Sequence, residues 1–187
     1  FSSPINMVSD FLGPEVKGRV LEQPPERGDV IVFRLPRDTS ENYVKRLIGL
    51  PGDRIQVRDG SLYINDTLVP RRVVDPEDGS HMSRRYIETL PGGREHEILE
   101  FSDSEQYDNT AEYAVPPDHY FMMGDNRDNS LDSRISAARG GVGYVPSENL
   151  VGRVDRLMYS RDTGVPWWHF SELLQSFRQE RFFAAVQ

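Results

Sequence analysis

The 187-residue chain contains no cysteine, which excludes disulfides, thiol nucleophiles and thiolate metal sites. Histidine is scarce: His81, His96, His119 and His169 stand apart. No pair has the HExxH spacing of a helical zinc site, so no metal centre and no cofactor is expected. No apolar run reaches the ~18 residues that a membrane-spanning helix requires, and no secretory leader opens the chain. Positive charge is in short supply. Lys and Arg number 22 against 30 Asp and Glu, a net charge of -8. That balance argues against the broad basic footprint of a nucleic-acid binder. There is no GxxxxGK[ST] phosphate loop and no Gly-x-Ser-x-Gly elbow, so nucleotide chemistry is unsupported and Ser-His-Asp chemistry only weakly so.

What is present is a series of short β signals. Hydrophobic residues make up 37% of the chain, enough for one lean core with a large insertion. A turn at Gln23–Asp29 feeds the run Val30-Ile31-Val32-Phe33, which predicts a buried strand. Pro36 to Glu41 predicts a turn, and Tyr43 to Leu50 a second strand closed by Pro51-Gly52-Asp53. Arg54–Val57 and Leu62–Ile64 flank Asp59-Gly60, a strong hairpin signal, and Asn65-Asp66 predicts the next turn. Residues 71–113 are rich in charge, Gly, Ser and Asp, and predict an inserted lobe of short strands and long loops. Strand signals return at Tyr120–Met123, Gly143–Pro146 and Leu150–Val154. Residues 1–20 have a loosely helical spacing. In the tail, Trp167, Trp168, Phe170, Leu173, Leu174, Phe177, Phe182 and Phe183 recur mostly every three or four residues, which predicts an amphipathic helix. Such a helix would pack on the sheet or lie at a membrane surface.

Two places stand out chemically. Lys45 lies inside an otherwise apolar strand next to Arg46. Neighbouring strand residues face opposite sides, so one of the two is expected to meet an interior or a cleft. Lys45 is then either a solvent-facing charge on an edge strand or a desolvated amine able to take a proton. The second place is Gly124–Arg134, where Asp125, Arg127, Asp128, Asp132 and Arg134 interleave. Read as a calcium loop from Asp125, it places Arg127, Ser130 and Ser136 where an oxygen ligand, a glycine and a glutamate are needed. A self-paired network that fixes backbone beside a site fits better than a solvated loop.

Three segments together resemble the bacterial type I signal peptidases: Arg27–Phe33, Tyr43–Asp53 and Gly124–Arg134. They occur in the family's order, with a variable lobe between the second and third. The resemblance implies a mostly β fold: a signal-peptidase-like catalytic sheet core (1–70 and 114–160), the inserted β/loop lobe (71–113) and a C-terminal amphipathic helix (161–187). It implies a membrane-associated endopeptidase with a serine–lysine dyad that cleaves signal peptides from exported preproteins after small residues at −1 and −3. The expected setting is the outer face of the bacterial cytoplasmic membrane, with the lipid surface as a second partner. By the same resemblance Lys45 is the general base and Ser130 orients it. Arg46 pairs with Asp125 and Asp132 with Arg134, and with Arg127 these form a supporting shell. Val32, Tyr43, Val44 and Leu131 match positions at the substrate pockets.

The sequence departs from the family at the nucleophile. No Ser-Met dipeptide occurs, and Ser2 and Ser3, followed by Pro4-Ile5-Asn6-Met7, match the family's serine motif poorly. The chain, which opens on Phe1, is therefore expected to begin downstream of the nucleophile and to be inactive alone. Three alternatives stand beside this reading. One is a peptidase dedicated to a single exported protein, and another a non-enzymatic membrane-surface β module that binds extended peptides by strand addition. The third is a serine–lysine autoprotease fused to a DNA-binding domain, which the acidic charge disfavours.

Overall fold

The computed structural model describes residues 24–74 and 84–154. The helical spacing in 1–20 and the aromatic tail lie outside the described residues.

The chain is mostly β. Among the described residues, three antiparallel sheets are built from twelve strands, in order: β1 (Val30–Leu35), β2 (Asp38–Gly49), β3 (Arg54–Arg58), β4 (Ser61–Ile64), β5 (Thr67–Leu68), β6 (Arg71–Val74), β7 (Arg84–Thr89), β8 (Glu95–Glu100), β9 (Tyr113–Ala114), β10 (His119–Met123), β11 (Val145–Pro146) and β12 (Leu150–Arg153). The largest sheet has the order β11-β10-β2-β1-β12, the second β5-β4-β3-β9, and the third β6-β7-β8. The third, called the lobe below, lies within 71–113 and is followed by a loop that returns through β9 to β3.

Alternation along the strands sorts the core into two layers. Ile48 of β2 and Phe121 of β10 meet Ile55, Val57, Leu62 and Ile64 of the second sheet. On the opposite face Ile31, Phe33 and Leu35 of β1 pack with Leu47, Met122, Val142 and Val145. Removing each of these side chains from water contributes on the order of 1.5–3 kcal/mol. Together they fix the register of β1, β2 and β10, because a one-residue slip would turn both faces inside out.

One boundary differs from the sequence expectation. Pro36 to Glu41 is not all turn: β2 begins at Asp38, and Leu35 pairs with Asp38 across a turn of Pro36 and Arg37. The first four residues of β2 are exposed on both faces, so no apolar alternation marks them as a strand.

Candidate active site

Lys45 lies in β2, which runs between β1 and β10, at the point where the pairing with β10 ends. Both it and Arg46 are withdrawn from water, where only one was expected to be. Arg46 is buried and Lys45 half-buried. Ile31 lies opposite Lys45, and Val30 opposite Arg46.

The site forms where β10 stops. β10 registers with β2 from Phe121↔Gly49 to Met123↔Arg46. At Gly124 the chain leaves the sheet, passes through a 3-10 turn at Arg127–Asn129 and reaches Ser130 in extended conformation. The excursion brings Ser130 back against β2, where Lys45 Nζ donates to Ser130 Oγ at 2.9 Å. Gly124 makes the approach possible. A Cβ there would stand 2.1 Å from Ser130 Oγ, 2.6 Å from its Cβ and 3.5 Å from Lys45 Nζ.

Burial pushes the Lys45 ammonium below its ordinary range. Asp132 pulls it back up, Arg134 lowers it further and Asp125 raises it. Desolvation is the largest of these influences, so the amine gives up its proton more readily than an exposed lysine does.

The loop is held by paired charges. Arg46 Nε and Nη2 each donate to Asp125 at 2.9 Å, and Nη1 donates to Gly28 O at 2.9 Å. Asp132, fully buried, accepts from Gly124 N at 3.1 Å and from Arg134 Nε and Nη2 at 3.0 and 2.9 Å. The pairs expected between Arg46 and Asp125 and between Asp132 and Arg134 are thus both present. Each buried charge meets an opposite one with good geometry, the condition under which such pairs persist. Arg127 is also buried, but its partner lies on the lobe: Nη1 and Nη2 donate to Glu88 at 2.9 and 2.5 Å.

A cleft of about 190 Å3 opens beside Lys45, with Ser130, Val30, Val44, Asp125 and Asn129 among its lining. Ser130 carries the one hydroxyl among the described lining residues. Alternation puts Val44 and Lys45 on opposite faces of β2, yet both line the cleft, which therefore wraps the edge that β10 leaves open. Among the described residues, no strand pairs with that edge from Lys45 back to Asp38. Val32 faces Val44 across the β1–β2 register but lies outside the lining. Tyr43 packs on the other face, its ring 6.3 Å from that of Phe33. Leu131 is 52% exposed and also stands outside the lining. Among the described residues, no group of acidic or histidine side chains is arranged to hold a metal.

Two residues escaped the sequence reading. Gly124 was visible only as part of a motif, because its role is the space it leaves. Glu88 had a signal: it shares the parity of Tyr86 on β7, and both are buried. A carboxylate in register with a buried aromatic asks for a buried cation.

The family model described as signal peptidase, peptidase S26, matches residues 10–159. Signal peptidase I of Rickettsia typhi is 44% identical over 168 residues, 85% of this chain and 60% of that protein. Signal peptidase I of Rickettsia prowazekii is 44% identical over 161 residues, 81% of this chain and 58% of that protein. The chain therefore spans about 60% of the length of the curated relatives it matches. A crystal structure of a signal peptidase I from Enterococcus faecalis V583 aligns with 71% of this chain and 97% of that one, at 26% identity and a TM-score of 0.42.

Proposed function

This chain belongs to the signal peptidase family, peptidase S26, and on that premise we propose that the intact protein removes signal peptides from exported preproteins by serine–lysine hydrolysis. The observation that carries the reading is the half-buried Lys45 amine, hydrogen-bonded to Ser130 at 2.9 Å at the mouth of a cleft.

In this mechanism the neutral Lys45 amine takes the proton of a serine hydroxyl as the oxygen attacks the scissile carbonyl. The resulting ammonium returns the proton to the leaving amine, which departs as the new N-terminus of the mature protein. Lys45 then deprotonates a water that hydrolyses the acyl-serine and regenerates the hydroxyl. Ser130 accepts a hydrogen bond from Nζ and keeps the amine aimed, so its part is to orient. The attacking serine is delivered to Nζ by a segment outside the described residues. Arg46, Asp125, Arg127, Asp132 and Arg134 hold the loop rigid and take no part in proton transfer.

The substrate lies extended along the open edge of β2, where unpaired backbone groups offer strand-type hydrogen bonds. Val44, at the cleft, and Val32, beside it, leave room for small side chains at −1 and −3; Tyr43, on the opposite face of β2, and Leu131, outside the cleft, are the further positions at which substitution tests the pockets. The sheet core, within 1–70 and 114–160, is the catalytic body, and the lobe at 71–113 is inserted into it. The protein acts at the outer face of the cytoplasmic membrane, where its substrates emerge.

The open strand edge also suits a peptide-binding module without catalysis, and one assay separates the two. A precursor with alanine at −3 and −1 is incubated with this chain and with an N-terminally extended form. Cleavage by the extended form alone, abolished by Lys45→Ala, supports the dyad with its serine upstream. Cleavage by this chain places the nucleophile within residues 1–187, with Ser2 and Ser3 the first to test. Binding without cleavage in both forms supports the module.

A further inference from the structure

The lobe carries a carboxylate that the proposed reaction never touches and that nonetheless underlies the Ser130 loop. Glu88 of β7 is fully buried, and its two oxygens receive the Arg127 fork at 2.9 and 2.5 Å. Arg127 opens the 3-10 turn that ends at Ser130. Two further contacts join the lobe to the same loop. Leu99 N donates to Asp125 O at 2.9 Å, forming an isolated parallel bridge with Asn126. Asp128 accepts from Phe101 N at 2.5 Å and Ser102 N at 3.3 Å.

The two bodies grip the loop together at Asp125 and separately beyond it. The core holds its ends, through Arg46 on Asp125 and through Asp132 on Gly124 and Arg134. The lobe meets it at Asp125 through Leu99 N and alone holds its middle, at Arg127 and Asp128. Glu88 is the buried member of that grip, and a fork-to-carboxylate pair specifies position more tightly than a single contact does.

We propose that Glu88 is a positioning residue for the reaction: through its buried fork on Arg127, the lobe sets how closely the 124–130 loop presents Ser130 to Lys45. The proposal rests on the reading of Lys45 as the general base. The charges that face the amine are Asp132, Arg134 and Asp125, all on the loop segment and none on the lobe. Glu88 therefore acts through the position of the loop, not through its own charge. When the grip is lost, the loop relaxes, water reaches Nζ and Ser130 no longer aims it.

The test is Glu88→Gln in the full-length protein, which keeps the side chain's shape and removes its charge. kcat and KM are measured against pH on a precursor with alanine at −3 and −1, with the folded fraction followed by circular dichroism. We expect kcat to fall roughly ten- to hundred-fold while KM changes little. The acidic limb of the kcat/KM profile should move up by about one pH unit as the amine becomes hydrated. Glu97→Gln, on the exposed face of β8, should leave both unchanged. If Glu88→Gln does not fold, Asp128→Ala tests the same grip from a partly exposed position and should shift the limb in the same direction by less. A purely structural role would lower the folded fraction without moving the limb. An unmoved limb in the variants that fold, beside an inactive Lys45→Ala, overturns the positioning role alone. An active Lys45→Ala overturns the general-base reading and the positioning role with it.

Discussion

A lysine serves as a base only while neutral, and at Lys45 burial is the main influence that makes the neutral form accessible. Its hydrogen bond to Ser130 Oγ adds direction. Removing that hydroxyl by Ser130→Ala leaves the amine buried and costs about one hydrogen bond, roughly ten-fold in kcat/KM. Gly124→Ala adds one carbon and should cost more. Its Cβ would need the space held by Ser130 Oγ, 2.1 Å away, so the loop must move as a body, and a displacement near 1 Å costs about a hundred-fold. Steady-state kinetics of the two variants give the order. If Gly124→Ala were the milder, the Ser130 contact would not be what aims the amine.

At the scale of elements, local chemistry was legible and long-range docking was not. Asp59-Gly60 predicted the β3–β4 hairpin because a two-residue turn needs positive φ at both positions, and the structure has φ of 46° and 68° there. Asn65 and Asp66, at 51° and 61°, make the following turn. The start of β2 was missed because its exposed residues carry no alternation. Of the self-paired network expected within 124–134, Asp132 pairs with Arg134, whereas Asp125 pairs outward with Arg46 of β2 and Arg127 with Glu88 of β7. The Glu88–Arg127 pair was not legible, since nothing local joins two residues 39 positions apart. The hairpin turn also touches the loop after the lobe: a Cβ at Gly60 would stand 2.9 Å from Asp103 Oδ1 and 3.3 Å from its Cα. Gly60→Ala combines left-handed strain with that clash. It should lower stability by about 1–2 kcal/mol, read as a reduced urea midpoint. An unchanged midpoint would mean that the turn relaxes freely.

For the molecule as a whole, the lobe builds two opposed proton-linked terms into one buried strand face. His96 and Glu100 both point inward from β8. Burial lowers the His96 pKa from 6.5 to about 4, against a counter-pull from Glu88. Burial raises Glu100 from 4.5 to about 7, against the pull of Arg71 and Arg127. His96 therefore contributes stability that is present above pH 6.5 and lost as pH falls through about 4. Glu100 contributes stability that is present below pH 4.5 and lost as pH rises through about 7. Between those limits the unfolded chain binds a proton at His96 that the native state refuses. The native state keeps one at Glu100 that the unfolded chain releases. The two slopes have opposite signs and offset each other. Removing either group should uncover the other. Relative to the unmodified protein, Glu100→Gln should gain Tm as pH rises from about 4.5 to 6.5, leaving the His96 slope unopposed. His96→Gln should lose Tm over the same interval. Thermal melts at matched ionic strength, taken as differences from the unmodified protein, remove the background of the other carboxylates. If both differences were flat with pH, neither group would hold a shifted proton in the native state, and the lobe would be electrostatically neutral toward folding.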